Sequence, residues 1–281
     1  MLGARELKAL LSAHGLRLTK RLGQHHLVDA RSIERVADAA ALDRSESVVE
    51  IGAGLGALTE ALARRAAAVT AVEIDTGICA VLKERMAAYA NVRVACRDIL
   101  TYSPPELHHA VVVGAIPYHI TSDLVVWLCG ARAHVRRAVL VVQREVGRRL
   151  AAGPGSKAYG RLSLLAQYSW RVHELFTVGR QAFFPQPDVD SVCLSFEPLA
   201  KPPAAAADEA LLFAVIKAAF AHRRKTLVNS LGEAGAPAVT RAGAEAVLRA
   251  LGWPLSVRGE TLSLADFVRL TDALTPEKGL P

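Results

Sequence analysis

The sequence predicts an α/β fold built on a mostly parallel sheet, followed by a small all-helical C-terminal domain. Three observations predict it. Short apolar runs rich in β-branched residues alternate with helix-period patterns, which is the rhythm of successive strand–helix–strand units. A glycine-rich turn, EIGAGLG, joins one such run to a helical pattern. After Pro198 the composition shifts to AKPPAAAA, and the remainder of the chain carries helical patterns only.

In chain order the first unit is SVVEIGAG and ALTEALARRA, the second AVTAVEID and GICAVLKERMAAY, and VRVACRD is the third strand. AVVVGAIPY and RRAVLVVQ continue as buried strands, each leading into a helical pattern, SDLVVWLCGA and EVGRRLAA. VHELFTVG and DSVCLSFEPL read as a strand pair at the sheet edge, and DEALLFAVIKAAFAHRRKTLVNSL, TRAGAEAVLRALG and SLADFVRLTDAL as helices. These assignments divide the chain into a domain at 1–199 and a helical domain at 208–281.

With 281 residues, 52% hydrophobic and 22% charged, the chain has enough apolar mass for both domains. A formal charge of +7 and a pI near 9.5 point to a polyanionic partner. Cys79, Cys96, Cys129 and Cys193 have neither CxxC nor metal-ligand spacing, so all four read as reduced, mostly buried thiols of a cytoplasmic protein. The N-terminal MLGARELKALLSAHG carries charges through its apolar positions, and no run nears the roughly 18 apolar residues of a membrane span; neither a signal peptide nor a membrane helix is expected.

The chemistry collects at successive strand ends. Gly52, Gly54 and Gly56 let the backbone turn tightly and let a ligand approach a helix N-terminus, although Gly52, Gly54 and Ala57 also fit the GxGxxA of nicotinamide dinucleotide sites. Glu73 ends the next strand at the spacing of a ribose-binding carboxylate, which suits NAD and S-adenosylmethionine equally. Asp98 ends the third, where a carboxylate receives the exocyclic amine of adenine while Ile74 and Ile99 flank the ring; a helix N-cap is the plainer reading of Asp98. Three successive ends carrying Gly, Glu and Asp favour S-adenosylmethionine. The fourth carries Ile116-Pro117-Tyr118. An aromatic amine is a poor nucleophile, so a site that methylates one needs an acceptor for its hydrogens, here the Ile116 carbonyl, and a ring for the base to stack on, here Tyr118.

GLRLTKRLGQHHLVD, VVEIGAGLGALTEAL, AVEID, CRDIL, FFPQPDVDS, PGSKAYGRLSLLAQY and AFAHRRKTLVNSL are each similar to a segment of one family. The chain resembles the KsgA family of S-adenosylmethionine-dependent ribosomal RNA adenine dimethyltransferases, which is related to the Erm enzymes. The resemblance implies a Rossmann-like methyltransferase domain. It implies cofactor contacts from Gln24, His25, Leu27, Gly52, Gly54, Gly56, Glu73, Ile74, Asp98, Ile99 and Ala115, and a catalytic set of Ala115, Ile116, Pro117, Tyr118 and Phe183, with Phe183 closing on the base opposite Tyr118. Two positions depart from the family pattern: Ala115 stands where Asn is usual, and His26 where Phe is usual. His119 is a poor replacement acceptor on this reading, because consecutive side chains on an extended segment point opposite ways.

Arg17, Lys20 and Arg21 ahead of the cofactor motif, and Arg223, Arg224 and Lys225 in the helical domain, are expected to hold RNA phosphates. The implied function is N6-dimethylation of two adjacent adenines near the 3′ end of small-subunit (16S) rRNA, by a monomer acting on the immature small subunit. Ala115 opens a second reading, a catalytically weak or silent rRNA-binding assembly factor. An Erm-like enzyme of large-subunit rRNA and a dinucleotide oxidoreductase are the remaining alternatives.

Overall fold

The computed structural model describes residues 2–16, 18, 25–222, 224–233 and 239–275. They form two compact units, 1–147 with 170–198, and 148–169 with 199–281. The sequence predicts that residues 1–199 all belong to the first domain. The structure departs from that at 148–169, because Tyr159, Leu164 and Tyr168 belong to the same hydrophobic core as Leu212, Val215 and Phe267 of the C-terminal helices.

In the first unit, α1 (Ala4–Ala13) precedes a two-residue strand β1 (His26–Leu27) and α2 (Ala30–Ala39). The alternating units follow as β2 (Ser47–Ile51), α3 (Ala57–Ala63), β3 (Ala68–Glu73), α4 (Thr76–Met86), β4 (Val92–Cys96), β5 (Ala110–Ala115), α5 (Thr121–Gly130) and β6 (Val135–Gln143), leading into α6 (Arg144–Ala151). After α7 (Arg161–Ser169) the chain returns through β7 (Trp170–Val178), β8 (Phe183–Phe184) and β9 (Ser191–Pro198). The large sheet has seven strands in the order β4-β3-β2-β5-β6-β9-β7. β2 to β6 are parallel, and β9 runs antiparallel to both β6 and β7. The expected pair at the edge is therefore present, with β7 outermost.

Burial follows position in the sheet. β5 (AVVVGA) is buried along nearly its whole length because it is central and covered on both faces, whereas β4 and β7 at the edges alternate or lie open. Helix starts are fixed locally: the Asp29 carboxylate accepts the Ser32 N–H at 2.8 Å, and Asp75 accepts those of Gly77 and Ile78 at 3.0 Å. Glu46, 8% exposed before β2, takes two bonds from the Arg137 guanidinium of β6 at 2.8 and 2.7 Å. That pairing holds its carboxyl down to about 2 against the opposing effect of burial. The same guanidinium donates to the Ala40 and Ala41 carbonyls, so one side chain also closes the end of α2.

Two sequence expectations need correction. Cys79 and Cys96 are not reduced thiols: they form a disulfide, Cα to Cα 5.9 Å, while Cys129 and Cys193 are buried thiols. The spacing of the pair in sequence carries no such signal; the turn from α4 into β4 brings the two together. The long helical pattern from Asp208 is in fact two helices, α8 (Glu209–Ala219) and α9 (Leu227–Glu233), which α10 (Arg241–Ala250) and α11 (Leu264–Leu274) follow. The polar His222, Arg224, Lys225 and Thr226 lie between α8 and α9, where they replace the apolar period that would continue the helix.

In the second unit the Tyr159 hydroxyl donates to the Leu262 carbonyl at 2.8 Å, and Phe220 packs on Tyr159 and Phe267. Among the described residues no helix is long and apolar enough to cross a membrane.

Candidate active site

The strand order reverses direction between β2 and β5, and at such a point the loops leaving the carboxyl ends diverge and open a crevice. A cavity lies there. Its lining includes Gly52 and Gly54 after β2, Glu73 and Ile74 at the end of β3, Asp98 and Ile99 beyond β4, and Ala115 and Pro117 at the end of β5. His25, His26 and Leu27 reach it from the N-terminal segment because β1 pairs with β8, which sets His26 opposite Phe184 and Leu27 opposite Phe183.

The glycine loop is held by Glu73. The carboxylate, 6% exposed, accepts the Gly54 N–H through Oε2 at 2.9 Å and the Asp75 N–H through Oε1 at 3.0 Å. Burial nevertheless raises its pKa, the backbone bonds working the other way. Beneath it Glu50 is fully buried and takes the Thr59 hydroxyl at 2.5 Å. Burial pushes Glu50 up to about 8, with the Thr59 bond opposing and the Glu73 charge adding, so at neutral pH it is mainly an uncharged acid. Both carboxyl groups border the cavity, Glu50 as a mainly uncharged acid at neutral pH.

Each glycine has a separate reason. At Gly54, with φ +55°, a Cβ would collide with the His26 ring; at Gly52, φ +68°, it would touch the Pro117 ring at 3.5 Å. Gly56 differs from its assignment as a cofactor contact: it is absent from the lining, and a Cβ there would meet Leu82 Cδ1 at 2.8 Å and Met86 Cε at 2.9 Å. Its smallness serves the packing of α3 on α4.

S-adenosylmethionine is a nucleoside with a charged amino-acid tail, and the donor set fits it. Glu73 can accept ribose hydroxyls, and Asp98 with Ile74 and Ile99 presents an acceptor between apolar surfaces. Asp98 is also the N-cap of the turn Ile99–Thr101, its Oδ1 accepting the Leu100 N–H at 2.9 Å, so both readings of this residue have a basis. His26 Nε2 is buried without a hydrogen-bond partner among the described residues, an orphan that a polar ligand group can satisfy.

That orphan yields a prediction. Burial, then the neighbouring His25, depress the His26 pKa to about 4, so between pH 6.5 and 4 the unfolded chain binds a proton that the folded one does not. His26→Phe, measured by urea unfolding without cofactor, is expected to stabilise the fold by about 1 kcal/mol at pH 7.5 and by more at pH 5. An equal gain at both values would mean that His26 is not held neutral.

Tyr118 is held by contacts the sequence does not display. His25 Nδ1 donates to the Pro185 carbonyl at 2.7 Å, and its imidazole stacks on Tyr118, centroids 5.2 Å apart and planes inclined by 28°. The Tyr118 hydroxyl lies 3.2 Å from Ser191 Oγ. His25 thus ties IPY to FFPQPDVDS and positions Tyr118 in addition to lining the cavity. Phe183 departs from its expected place: it is 5% exposed and packs in the core with Leu27, and neither it nor Tyr118 is part of the cavity wall. Ile116 is buried, its N–H donating to the Val141 carbonyl at 2.9 Å, which leaves Ala115 and Pro117 to form that wall. Tyr118 to Ile120 form a 3-10 turn rather than the extended segment assumed for them, and His119 consequently lines the same cavity as Ala115.

Gln24, Arg17, Lys20, Arg21 and Arg223 lie outside the described residues. Arg224 is exposed, and Lys225 pairs with Glu233 Oε2. Glu50, His26 and Arg97 are lining residues that the sequence reading does not assign to the site. The helix start after EIGAGLG, ALTEAL with Thr59 on the inner face, is the signal that could have found Glu50.

With this geometry in place, comparison with known proteins gives consistent results. The family described as "Ribosomal RNA adenine dimethylase" matches residues 15–262. The "Ribosomal RNA small subunit methyltransferase A" of Geobacillus thermodenitrificans is 38% identical over 283 residues, covering 96% of this chain and 95% of the relative. The protein of the same name from Bacillus cereus is 38% identical over 281 residues, covering 96% of each. Among solved structures, the 23S rRNA methyltransferase ErmE is 29% identical with a TM-score of 0.63, covering 89% of this chain and 99% of its own. A dimethyladenosine transferase from Plasmodium falciparum is 25% identical with a TM-score of 0.69, covering 88% and 96%.

Proposed function

This chain belongs to the ribosomal RNA adenine dimethylase family, as an S-adenosylmethionine-dependent methyltransferase of Rossmann-like fold, and from that premise we propose that it methylates N6 of two adjacent adenines near the 3′ end of small-subunit rRNA. The observation that carries the reading is the convergence of Gly52, Glu73, Asp98, Ala115 and Pro117 on one cavity. The substrate is the immature small subunit, the enzyme acts as a monomer, and its compartment is the cytoplasm.

S-adenosylmethionine, when bound, supplies an electrophilic methyl group on a sulfonium. The protein's task is to make a delocalised amine nucleophilic in front of it. The adenine must leave its stack, and Tyr118, fixed by His25 and Ser191, offers a face on which it can rest. The Ile116 carbonyl accepts a hydrogen of the amine and draws the nitrogen toward tetrahedral geometry, and transfer is direct, with no covalent enzyme intermediate. Incubation with methyl-labelled cofactor and undermethylated small subunits tests this: label in two adjacent adenines is expected, and label in large-subunit rRNA alone would transfer the assignment to the Erm-like reading.

The second reading is a silent assembly factor, and Ala115 is the observation that favours it. Subunit binding with no label in the same assay would establish it.

On either reading Arg223, Arg224 and Lys225 hold rRNA phosphates. Lys225 must exchange its contact with Glu233 for a phosphate, a small cost because exposed ion pairs contribute about 0–1 kcal/mol. Neutralising all three is expected to weaken subunit binding and to reduce the slope of log affinity against log salt by roughly 0.7–0.9 per lost contact, with cofactor affinity unchanged. A filter-binding salt series measures it, and an unaltered slope removes these residues from the interface.

A further inference from the structure

We propose that Cys79 and Cys96 are a reversible thiol–disulfide site that governs cofactor binding: the oxidised pair holds the ribose and adenine segments together, and reduction by a dithiol weakens the hold. The inference rests on Glu73 and Asp98 as cofactor contacts.

The placement is the argument. Cys79 lies in α4, the helix that starts directly after Glu73, Ile74 and Asp75. Cys96 is the last residue of β4, in register with Glu73 on β3, and the chain runs from it straight into Arg97, Asp98 and Ile99. Their bond, which spans 17 residues, therefore fastens two consecutive segments of the cavity wall to each other.

Beyond Cys96 the anchors of the adenine segment are mostly internal. Arg97 bonds the Thr101 carbonyl at 2.8 Å and stacks on Tyr102, and Asp98 caps Leu100. The Trp127 indole donates to the Tyr102 carbonyl at 3.1 Å and ties the far end to α5. β4 is also an edge strand, paired with β3 on one side and with no second strand among the described residues. Without the disulfide the segment keeps its own shape while its position against α4 loosens, and a binding surface that must be ordered on binding binds less tightly.

The chemistry is accessible from one side. Cys79 is fully buried, whereas Cys96 is exposed. A thiolate of an external dithiol attacks Cys96 Sγ, forms a mixed disulfide there and releases the Cys79 thiolate, which takes up a proton. The second thiol of the dithiol then displaces Cys96, so the reductant leaves as a cyclic disulfide and the protein gains two electrons and two protons. A disulfide in a reducing compartment is characteristically of this transient, sensing kind.

Calorimetry with S-adenosylhomocysteine on the full chain, air-oxidised and then treated with dithiothreitol, tests the inference. Reduction is expected to raise Kd about fivefold or more. Thiol titration of the unfolded chain should count two of the four cysteines before reduction and all four after. Cys79→Ser/Cys96→Ser should bind like the reduced protein and ignore dithiothreitol; if that variant does not fold, the parent in its two redox states still decides. Equal Kd in both states, even with a fall in Tm on reduction, would leave the bond a purely structural staple and overturn the proposal, as would four thiols in the oxidised sample. No binding in either state would overturn the cofactor assignment itself, and this inference with it.

Discussion

Glu73→Ala is expected to weaken cofactor binding by about 1.5–3 kcal/mol, roughly 10- to 150-fold in Kd, as the loss of a charge-assisted acceptor requires. The structure adds a second contribution. Both carboxylate oxygens already hold backbone N–H groups, Gly54 through one and Asp75 through the other, so the substitution also releases the glycine loop. Glu73→Gln separates the two effects, since the amide keeps one acceptor for the loop and gives up the negative charge. The charge has a pH signature as well. Burial raises the Glu73 pKa, so the carboxylate is protonated at a higher pH than an ordinary glutamate, and cofactor affinity should fall as pH drops through that raised value. In Glu73→Gln the fall should disappear. Calorimetric Kd values from about pH 5 to pH 8 measure it; parent-like affinity in Glu73→Ala would end the ribose assignment.

Much of this site is legible in the sequence because its backbone logic is local. A glycine-rich turn after a β-branched run announces itself, and a carboxylate at the end of the next strand falls at a fixed distance along the chain. The central strands are equally readable, since β5 is a nearly continuous apolar run and β2 carries Val48, Val49 and Ile51. What is not legible depends on contacts between residues far apart in sequence. The stack of His25 on Tyr118 joins positions separated by most of the sheet, and the Tyr118–Ser191 contact spans 73 residues. Gly56 looks like its two neighbours in the sequence, and only the side chains of Leu82 and Met86 reveal that it serves packing. The family motif implies that Phe183 closes on the base opposite Tyr118, yet the residue pairs with Leu27 and packs in the core. The disulfide is illegible for the same reason, as it requires the fold of α4 onto β4. His119 is misread on a local premise, an extended segment where the chain makes a turn.

Ala115→Asn is expected to raise the single-turnover rate of methyl transfer by about 10²–10³-fold while leaving substrate affinity nearly unchanged. Ala115 ends β5 and lines the cavity beside Pro117, so an amide there would share the wall on which the amine is proposed to react. An acceptor that engages the amine chiefly as the nitrogen becomes tetrahedral stabilises the transition state and contributes little to the bound ground state, so its gain appears in kcat and not in Kd. The scale is that of one preorganised hydrogen-bonding group in an oxyanion hole, about 3–4 kcal/mol. The parent should retain activity, because the Ile116 carbonyl and the Tyr118 platform do not depend on position 115. His119 supplies the decisive control: it lines the same cavity, and an imidazole nitrogen is an acceptor when neutral. Equal rates for parent and Ala115→Asn would show that the acceptor role is already filled, and His119→Ala should then slow the parent while leaving Ala115→Asn unaffected. A parent with no turnover, restored by Ala115→Asn, would instead assign the natural protein to subunit binding and its cavity to a methyl transfer it has lost.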